Sequence, residues 1–74
     1  MPLDAHQKEL LKDLGLKVKA IRKNKNLTIK ELAHSIGKDT QSVHRLEKGG
    51  INPSYIYLLE ICKGLEIEIT ELLK

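Results

Sequence analysis

One short segment in the middle of this 74-residue chain carries polar side chains at a spacing that suits hydrogen bonding to base pairs. If the segment is a helix, Val43 and Leu46 lie on its buried face, and Thr40, Gln41 and Arg45 lie on its outer face. A glutamine amide can form two hydrogen bonds with adenine, and an arginine guanidinium can do the same with guanine. We therefore expect Gln41 and Arg45 to contact bases with help from Thr40, although a solvated polar face would show the same pattern.

A second group of polar residues stands at or near the ends of predicted helices. The N-terminus of a helix presents free N–H groups and a positive partial charge, which favour a phosphate group. The candidate phosphate contacts at these places are Thr28, Lys30, Ser42, Lys48, Asn52 and Ser54. Each of them could equally be an ordinary solvated residue.

The distribution of charge agrees with an anionic partner. The chain has 13 Lys and Arg against 10 Asp and Glu, for a formal net charge of +3. Residues 1–50 contain 11 of the basic and six of the acidic residues, whereas residues 51–74 contain two basic and four acidic ones. A basic N-terminal part suggests a polyanion such as a nucleic acid. Among the lysines of the N-terminal part, we expect only those from Lys17 to Lys25 to lie near the segment that carries Gln41 and Arg45.

Composition and spacing disfavour several other classes of protein. The lone Cys62 cannot form an internal disulfide, and no apolar run approaches the about 18 residues of a membrane-spanning helix. No pair among Cys62 and the histidines has the spacing of a metal site, and no nucleophile–base pair suggests an enzyme. We therefore expect a cytoplasmic protein with no metal, no cofactor, no small-molecule ligand and no membrane partner.

The apolar periodicity predicts an all-α chain of five helices. The predicted helices are helix 1 over Ala5–Asn24, helix 2 over Ile29–Ile36, helix 3 over Thr40–Lys48, helix 4 from Pro53 to Lys63 or Leu65, and helix 5 over Ile69–Leu73. The expected N-terminal capping residues are Asp4, Thr28, Asp39 and Asn52. Residues 65–69 alternate like a strand, but a lone strand would have no partner, so we predict an extended connector with its apolar residues inward. Residues 1–74 would then form one domain.

Helices 2 and 3 together have the features of a helix-turn-helix over residues 28–49. Both are short and capped, a tight turn with Gly37 joins them, and Ala33 is small enough to let them cross closely. In this arrangement the second helix enters the major groove of DNA. Many helical hairpins share these features, so the pattern by itself leaves the function open.

A longer set of positions resembles the phage Cro/C1 repressor-like (XRE-type) helix-turn-helix family. The matching residues are Leu14-Gly15, Val18, Ile21-Arg22, Leu27-Thr28, Glu31-Leu32-Ala33, Ile36-Gly37, Val43, Leu46-Glu47-Lys48-Gly49, Pro53, Leu58, Ile61, Leu65, Ile67 and Leu72. The resemblance implies a five-helix, lambda-repressor-like domain that binds double-stranded DNA, is usually dimeric and regulates transcription. It also implies that Arg22 pairs with Glu47, which makes Glu47 structural despite its place on helix 3. The sequence departs from the family at Lys38, where an apolar residue is usual, and at Glu66, where Gly or Asn is usual.

Helix 4 is apolar on nearly all of its faces, so it requires a second burial partner in so small a protein. Its predicted core stripe comprises Tyr55, Leu58, Ile61, Cys62 and Leu65. The predicted two-fold dimer interface comprises Ile56, Tyr57, Leu59, Ile69, Leu72 and Leu73. A dimer would place two recognition helices about 34 Å apart, which requires a near-palindromic operator. Alternatively, helix 1 folds back and covers helix 4 with Leu3 and Leu10.

Two functions remain open on these grounds. The first is a homodimeric, sequence-specific regulator of transcription that covers a promoter or contacts polymerase beside it. The second is an antitoxin or an adaptor of the same fold, in which helix 4 and the C-terminal surface hold a toxin or another partner protein.

Overall fold

Five helices follow one another along residues 2–74, the part of the chain that this computed structural model describes. They are α1 (Ala5–Asn24), α2 (Ile29–Ser35), α3 (Thr40–Glu47), α4 (Tyr55–Leu65) and α5 (Ile69–Leu73). No strand occurs in these residues, and the predicted all-α, five-helix fold is confirmed. The helix-turn-helix is formed by α2 and α3, α1 packs against α3, α4 against α2, and α5 against both α1 and α4.

Capping boxes define the starts of the first two helices, as predicted. The Asp4 carboxylate accepts from the amide of Gln7 at 2.7 Å, and the Thr28 hydroxyl accepts from the amide of Glu31 at 3.0 Å. The Glu31 carboxylate in turn accepts from the amide of Thr28 at 2.9 Å. The hydrogen bond from the Thr28 amide, and after it a hydrogen bond from the Thr28 side chain to the same carboxylate, lower the pKa of Glu31. The stabilisation from the ionised carboxylate is therefore present at neutral pH and is lost as the pH falls through the lowered pKa.

The starts of α3 and α4 differ from the predicted capping. Ser54 is the N-cap of α4, and its hydroxyl accepts from the amide of Tyr57 at 3.0 Å. The predictions of Asn52 as the cap and of Pro53 in the first helical turn are therefore wrong, because the helix begins after Ser54. Asp39 occupies the N-cap position of α3 as predicted, but its side chain makes no capping hydrogen bond.

The predicted connector between α4 and α5 is shorter than expected. Leu65 is the last residue of α4 and Ile69 is the first of α5, so only residues 66–68 are non-helical. Glu66 reverses the chain with φ +58°, a left-handed conformation that a side chain with a Cβ adopts at some cost. Ile67 packs against the core, as the alternating pattern predicted.

The buried hydrophobic side chains of the core come from all five helices. They are Val18, Leu32, Ala33, Val43, Leu46, Ile61, Cys62, Leu65 and Leu72. Leu72 has no exposed surface, so its predicted place in a dimer interface is wrong. The reason is that α5 packs against both α1 and α4, which buries the side of this short helix that carries Leu72.

The inward face of α4 is the one predicted except at Tyr55, because Leu58, Ile61, Cys62 and Leu65 all pack into or against the core. Tyr55 is 65% exposed and does not belong to the core stripe, whereas Tyr57 is half-buried and packs against the core. Ile61, Cys62 and Leu65 set the buried face, and Tyr57 precedes Ile61 by four residues, which places it on the same side of the helix. Tyr55 precedes Ile61 by six residues, so its side chain lies on a different side of the helix and is exposed to solvent.

The N-terminal part of α1 does not cover the exposed side of α4. Leu10 is itself more than half exposed, and α1 packs mainly against α3 and α5. Ile56 and Leu59 of α4 remain open to solvent. The alternative in which helix 1 folds back over helix 4 is therefore wrong.

Candidate DNA-binding interface

The recognition helix α3 presents one polar face to solvent and one apolar face to the core. Val43 and Leu46 are buried, because they lie three residues apart on the side that packs against α1 and α2. Thr40, Gln41 and Arg45, the predicted base-contacting residues, are all exposed. The helix therefore offers a hydroxyl, an amide and a guanidinium, which together can donate to and accept from base edges.

A buried ion pair holds the C-terminal end of α3 against α1. Arg22 Nε lies 2.6 Å from Glu47 Oε2, and Arg22 Nη2 lies 3.0 Å from Glu47 Oε1. Arg22 Nη1 also donates to the backbone carbonyl of Leu27 at 2.6 Å. The Arg22 and Glu47 side chains are 7% and 4% exposed, so the structure places Glu47 inside the fold and away from the polar face of α3.

A second set of contacts joins the start of α3 to α4. The hydroxyl oxygens of Ser42 and Tyr57 lie 2.7 Å apart and share a hydrogen bond. Lys38 Nζ lies 3.3 Å from Glu60 Oε1 and 5.6 Å from the centroid of the Tyr57 ring. Ser42 is a predicted phosphate contact and Tyr57 a predicted interface residue, and the structure joins the two side chains through this hydrogen bond. The ion pair between Lys38 and Glu60 also explains why a lysine is tolerated at position 38, where the family usually has an apolar residue, because its ammonium group reaches Glu60 at the surface.

The other predicted phosphate contacts are all exposed to solvent. They are Thr28, Lys30, Lys48, Asn52 and Ser54. Lys30 lines a shallow cleft between α2 and α3 together with Thr40, so a predicted phosphate contact and a predicted base contact open onto the same space. The Ser54 hydroxyl accepts a capping hydrogen bond and can still donate its own proton to a phosphate oxygen.

Two lysines that the sequence reasoning did not single out complete this surface. Lys8 and Lys12 of α1 line a cleft together with Lys48 and Asn52. They lie four residues apart on one side of α1, and Gly15, which faces the end of α3, continues the same side. The spacing of Lys8 and Lys12 already indicates in the sequence that they share one side of α1. Only the packing of Gly15 against α3 shows that this side faces the end of α3.

The lysines from Lys17 onward were expected to lie nearest to the helix-turn-helix, and for Lys17 this is wrong. Its ammonium group donates to the backbone carbonyl of Lys74, and its side chain lines an apolar groove between α1 and α5. Lys17 is therefore directed toward the C-terminal end of the chain and away from α3.

The remaining candidate for chemistry is Cys62, which is 3% exposed. Burial, followed by the negative charges of Glu68 and Glu71, raises the pKa of the thiol, so the reactive thiolate is disfavoured. Among residues 2–74, no group of three or more His, Cys, Asp or Glu side chains could hold a metal ion. Within the same residues, no helix is both long and apolar enough to cross a membrane.

Comparison with known proteins identifies the family. Residues 18–72 match the helix-turn-helix family HTH_3. The chain belongs to this family. The predicted resemblance is thereby confirmed, and membership of the family places the chain among DNA-binding regulators rather than enzymes.

Several solved structures of this family are similar to the chain. The restriction-modification controller protein C.AhdI from Aeromonas hydrophila is 32% identical with a TM-score of 0.82, over 84% of this chain and 94% of that one. The clp gene regulator ClgR from C. glutamicum is 26% identical with a TM-score of 0.83, over 99% of this chain and 87% of that one. The controller protein C.Esp1396I, solved as a tetramer in complex with its natural 35 base-pair operator, is 30% identical with a TM-score of 0.76, over 88% of this chain and 96% of that one. No curated protein sequence matches the chain significantly.

Proposed function

We propose that the chain is a cytoplasmic regulator of transcription that binds double-stranded DNA sequence-specifically, as a homodimer on a near-palindromic operator. The observation that carries this proposal is the exposed row of Thr40, Gln41 and Arg45 on a recognition helix whose opposite face is buried. The similarity to C.Esp1396I, which is solved in complex with its operator, supports the same use of α3 here.

Phosphate contacts would fix the register of α3 in the major groove, and bases would be read by α3 itself. On one side of α3 the contacts would come from Thr28 and Lys30. On the other side they would come from Lys48, Asn52 and Ser54, extended by Lys8 and Lys12 of α1. Such contacts position the protein without selecting a sequence, and they make binding strongly dependent on salt.

Dimerisation would use the apolar residues that the fold leaves exposed on α4 and α5. Ile56, Leu59 and Leu73 are 69%, 38% and 57% exposed, and Ile69 is half-buried beside the core. Tyr55, which the fold exposes next to Ile56, joins this dimer surface, whereas Leu72 and Tyr57 leave it. A two-fold axis through such a surface presents the same apolar patch from both subunits, which is the common arrangement of soluble dimers.

Selection from a pool of random DNA duplexes tests the proposed function. We expect the wild-type protein to enrich one sequence with two inverted half-sites whose centres are about one helical turn apart. Enrichment of a single half-site would contradict the dimer. No enrichment would contradict DNA reading and would favour the protein-binding alternative, in which the exposed apolar surface holds a partner such as a toxin.

Removing one base-contacting side chain should relax the selected sequence at one position of each half-site. Gln41→Ala and Arg45→Ala should each cost about 1–3 kcal/mol of discrimination at that position, because a bidentate pair with a base contributes about this much. The relaxed positions are read from repeat selections with each variant. His44→Ala is the matched control on the same helix and should leave the selected sequence unchanged. If both variants selected the wild-type sequence, the assignment of Gln41 and Arg45 would be wrong.

A charge placed on the dimer surface should separate the subunits without unfolding them. Ile56→Asp should weaken dimerisation by at least about 100-fold, because the two-fold axis buries two carboxylates in an apolar contact. Sedimentation at tens of micromolar protein measures the change, and circular dichroism checks the helical content. Ala5→Asp is the matched control, because it adds the same charge at an exposed apolar residue at the start of α1, outside the proposed surface. A dimer that survives Ile56→Asp would place the interface elsewhere.

A further inference from the structure

The first turn of α3 is less firmly held by local interactions than the rest of the helix. Asp39 stands at the N-cap without a capping hydrogen bond from its side chain. The first backbone hydrogen bond, from the amide of Val43 to the carbonyl of Asp39, is 3.5 Å long, at the limit of a hydrogen bond. The opposite end of α3 is fixed by the ion pair of Glu47. The base-reading end of the helix therefore depends on contacts with other elements.

The contacts that reach this end come from α4. The Tyr57 hydroxyl bonds to the half-buried hydroxyl of Ser42 at 2.7 Å, in the first turn of α3. The Tyr57 ring also lies under Lys38 of the turn, whose ammonium group is held by Glu60 of α4. A tyrosine ring is rigid, with two rotatable bonds, so its hydroxyl can hold a partner in a narrow range of positions. These contacts tie both the turn and the start of α3 to α4.

We propose that Tyr57 is a positioning residue for base reading, and that it acts through Ser42. Its hydroxyl fixes the first turn of α3, and so fixes the direction in which Thr40 and Gln41 meet the base edges. Groups that must form directed hydrogen bonds work only when the surrounding residues hold them within a fraction of an ångström. The inference rests on the proposed function, and it gives Tyr57 and Ser42 roles other than dimer contact and phosphate contact.

The hydroxyl of Tyr57 can be removed while its ring is kept. In a fluorescence anisotropy titration with the selected operator, Tyr57→Phe and Ser42→Ala should each weaken binding by about fivefold, the effect of one neutral hydrogen bond. The double variant should be no weaker than either single one, because both changes remove the same bond. Binding to a scrambled duplex and its salt dependence should stay as in the wild type, because the charged contacts to phosphate are intact. Ser35→Ala is the matched control, because it also removes one neutral hydroxyl hydrogen bond, to the carbonyl of Leu32, and lies outside the proposed reading, phosphate and dimer surfaces.

Two outcomes of this titration would overturn the inference. If Ser42→Ala weakened binding to both duplexes while Tyr57→Phe changed neither, Ser42 would be a direct phosphate contact and Tyr57 would have no part in reading. If Tyr57→Phe weakened dimerisation in sedimentation, and this loss accounted for the whole change in operator affinity, Tyr57 would be an interface residue.

A measurement without DNA separates this inference from the proposed function. Hydrogen exchange of the Val43 and His44 amides reports local opening at the start of α3. Tyr57→Phe should speed both exchanges by about fivefold, since it removes one neutral hydrogen bond, and Ser35→Ala should leave them at the wild-type rate. Unchanged exchange in Tyr57→Phe would overturn the positioning role even if an operator is found. A failed selection with faster exchange would contradict the proposed function and leave the tie between α3 and α4 established.

Discussion

Glu47→Ala should lower the free energy of unfolding by about 3–5 kcal/mol, the usual effect of removing one partner of a buried ion pair. The variant leaves the Arg22 guanidinium buried between α1 and α3 with one remaining acceptor, the carbonyl of Leu27. A buried charge without its counter-ion is much less stable than the same charge in water. For a domain of 74 residues, this loss is a large part of a total stability of about 4–11 kcal/mol.

Urea unfolding of the wild type and the variant, followed by circular dichroism, measures this difference. Glu9→Ala is the matched control, because it removes an exposed carboxylate from α1 and should change the stability by less than about 0.5 kcal/mol. The double variant Arg22→Met with Glu47→Leu should be more stable than either single alanine variant, because it leaves no unpaired charge in the site. If Glu47→Ala and Arg22→Ala both unfolded at the wild-type urea concentration, the pair would contribute nothing to stability.

Gly15→Ala should lower the free energy of unfolding by about 1–2 kcal/mol, although it replaces a glycine within a helix. Helix propensity alone would favour alanine by about 1 kcal/mol. However, a Cβ at Gly15 would lie 2.4 Å from the carbonyl oxygen of Glu47 and 2.5 Å from that of Leu46. Both atoms belong to the backbone, so α1 and α3 must move apart, and overpacking of this kind costs about 1–3 kcal/mol or more. The steric effect therefore outweighs the propensity.

Gly50→Ala is the control for this second prediction. A Cβ there would lie 3.4 Å from its nearest neighbour, the carbonyl oxygen of Arg45, which is an ordinary contact. Thermal unfolding should show a midpoint several degrees lower for Gly15→Ala, since about 1 kcal/mol shifts the midpoint of a domain this small by about 4–8 °C. It should show little change for Gly50→Ala. A more stable Gly15→Ala variant would mean that α1 and α3 do not approach as closely as described.

Both large effects concern the same junction, where the end of α3 meets α1. Gly15 permits the close approach, and Arg22 and Glu47 then pair across it. Because α3 presents Gln41 and Arg45 on its other face, the junction also determines the orientation of the proposed reading surface. Variants that open it should therefore lose operator binding together with stability, which distinguishes them from Gln41→Ala.

The sequence by itself determined the local features of the protein. The capping boxes at Asp4 and Thr28 lie where the spacing of residues in the sequence predicted them. The bounds of α1 and α5 are also as predicted. Val43 and Leu46 are buried as their spacing indicated. These features depend on residues no more than about four positions apart, and hydrogen bonding within one helical turn is enough to specify them.

Only the tertiary structure decided which side of each helix meets which neighbour. Tyr57 rather than Tyr55 faces the core, Leu72 is buried, and Lys8 and Lys12 lie beside Lys48. A helix that is apolar nearly all round, such as α4, has several faces that would satisfy burial equally well, so its own periodicity cannot choose among them. The choice depends on how five helices fit together, and contacts such as the hydrogen bond between Ser42 and Tyr57 exist only once that fit is made.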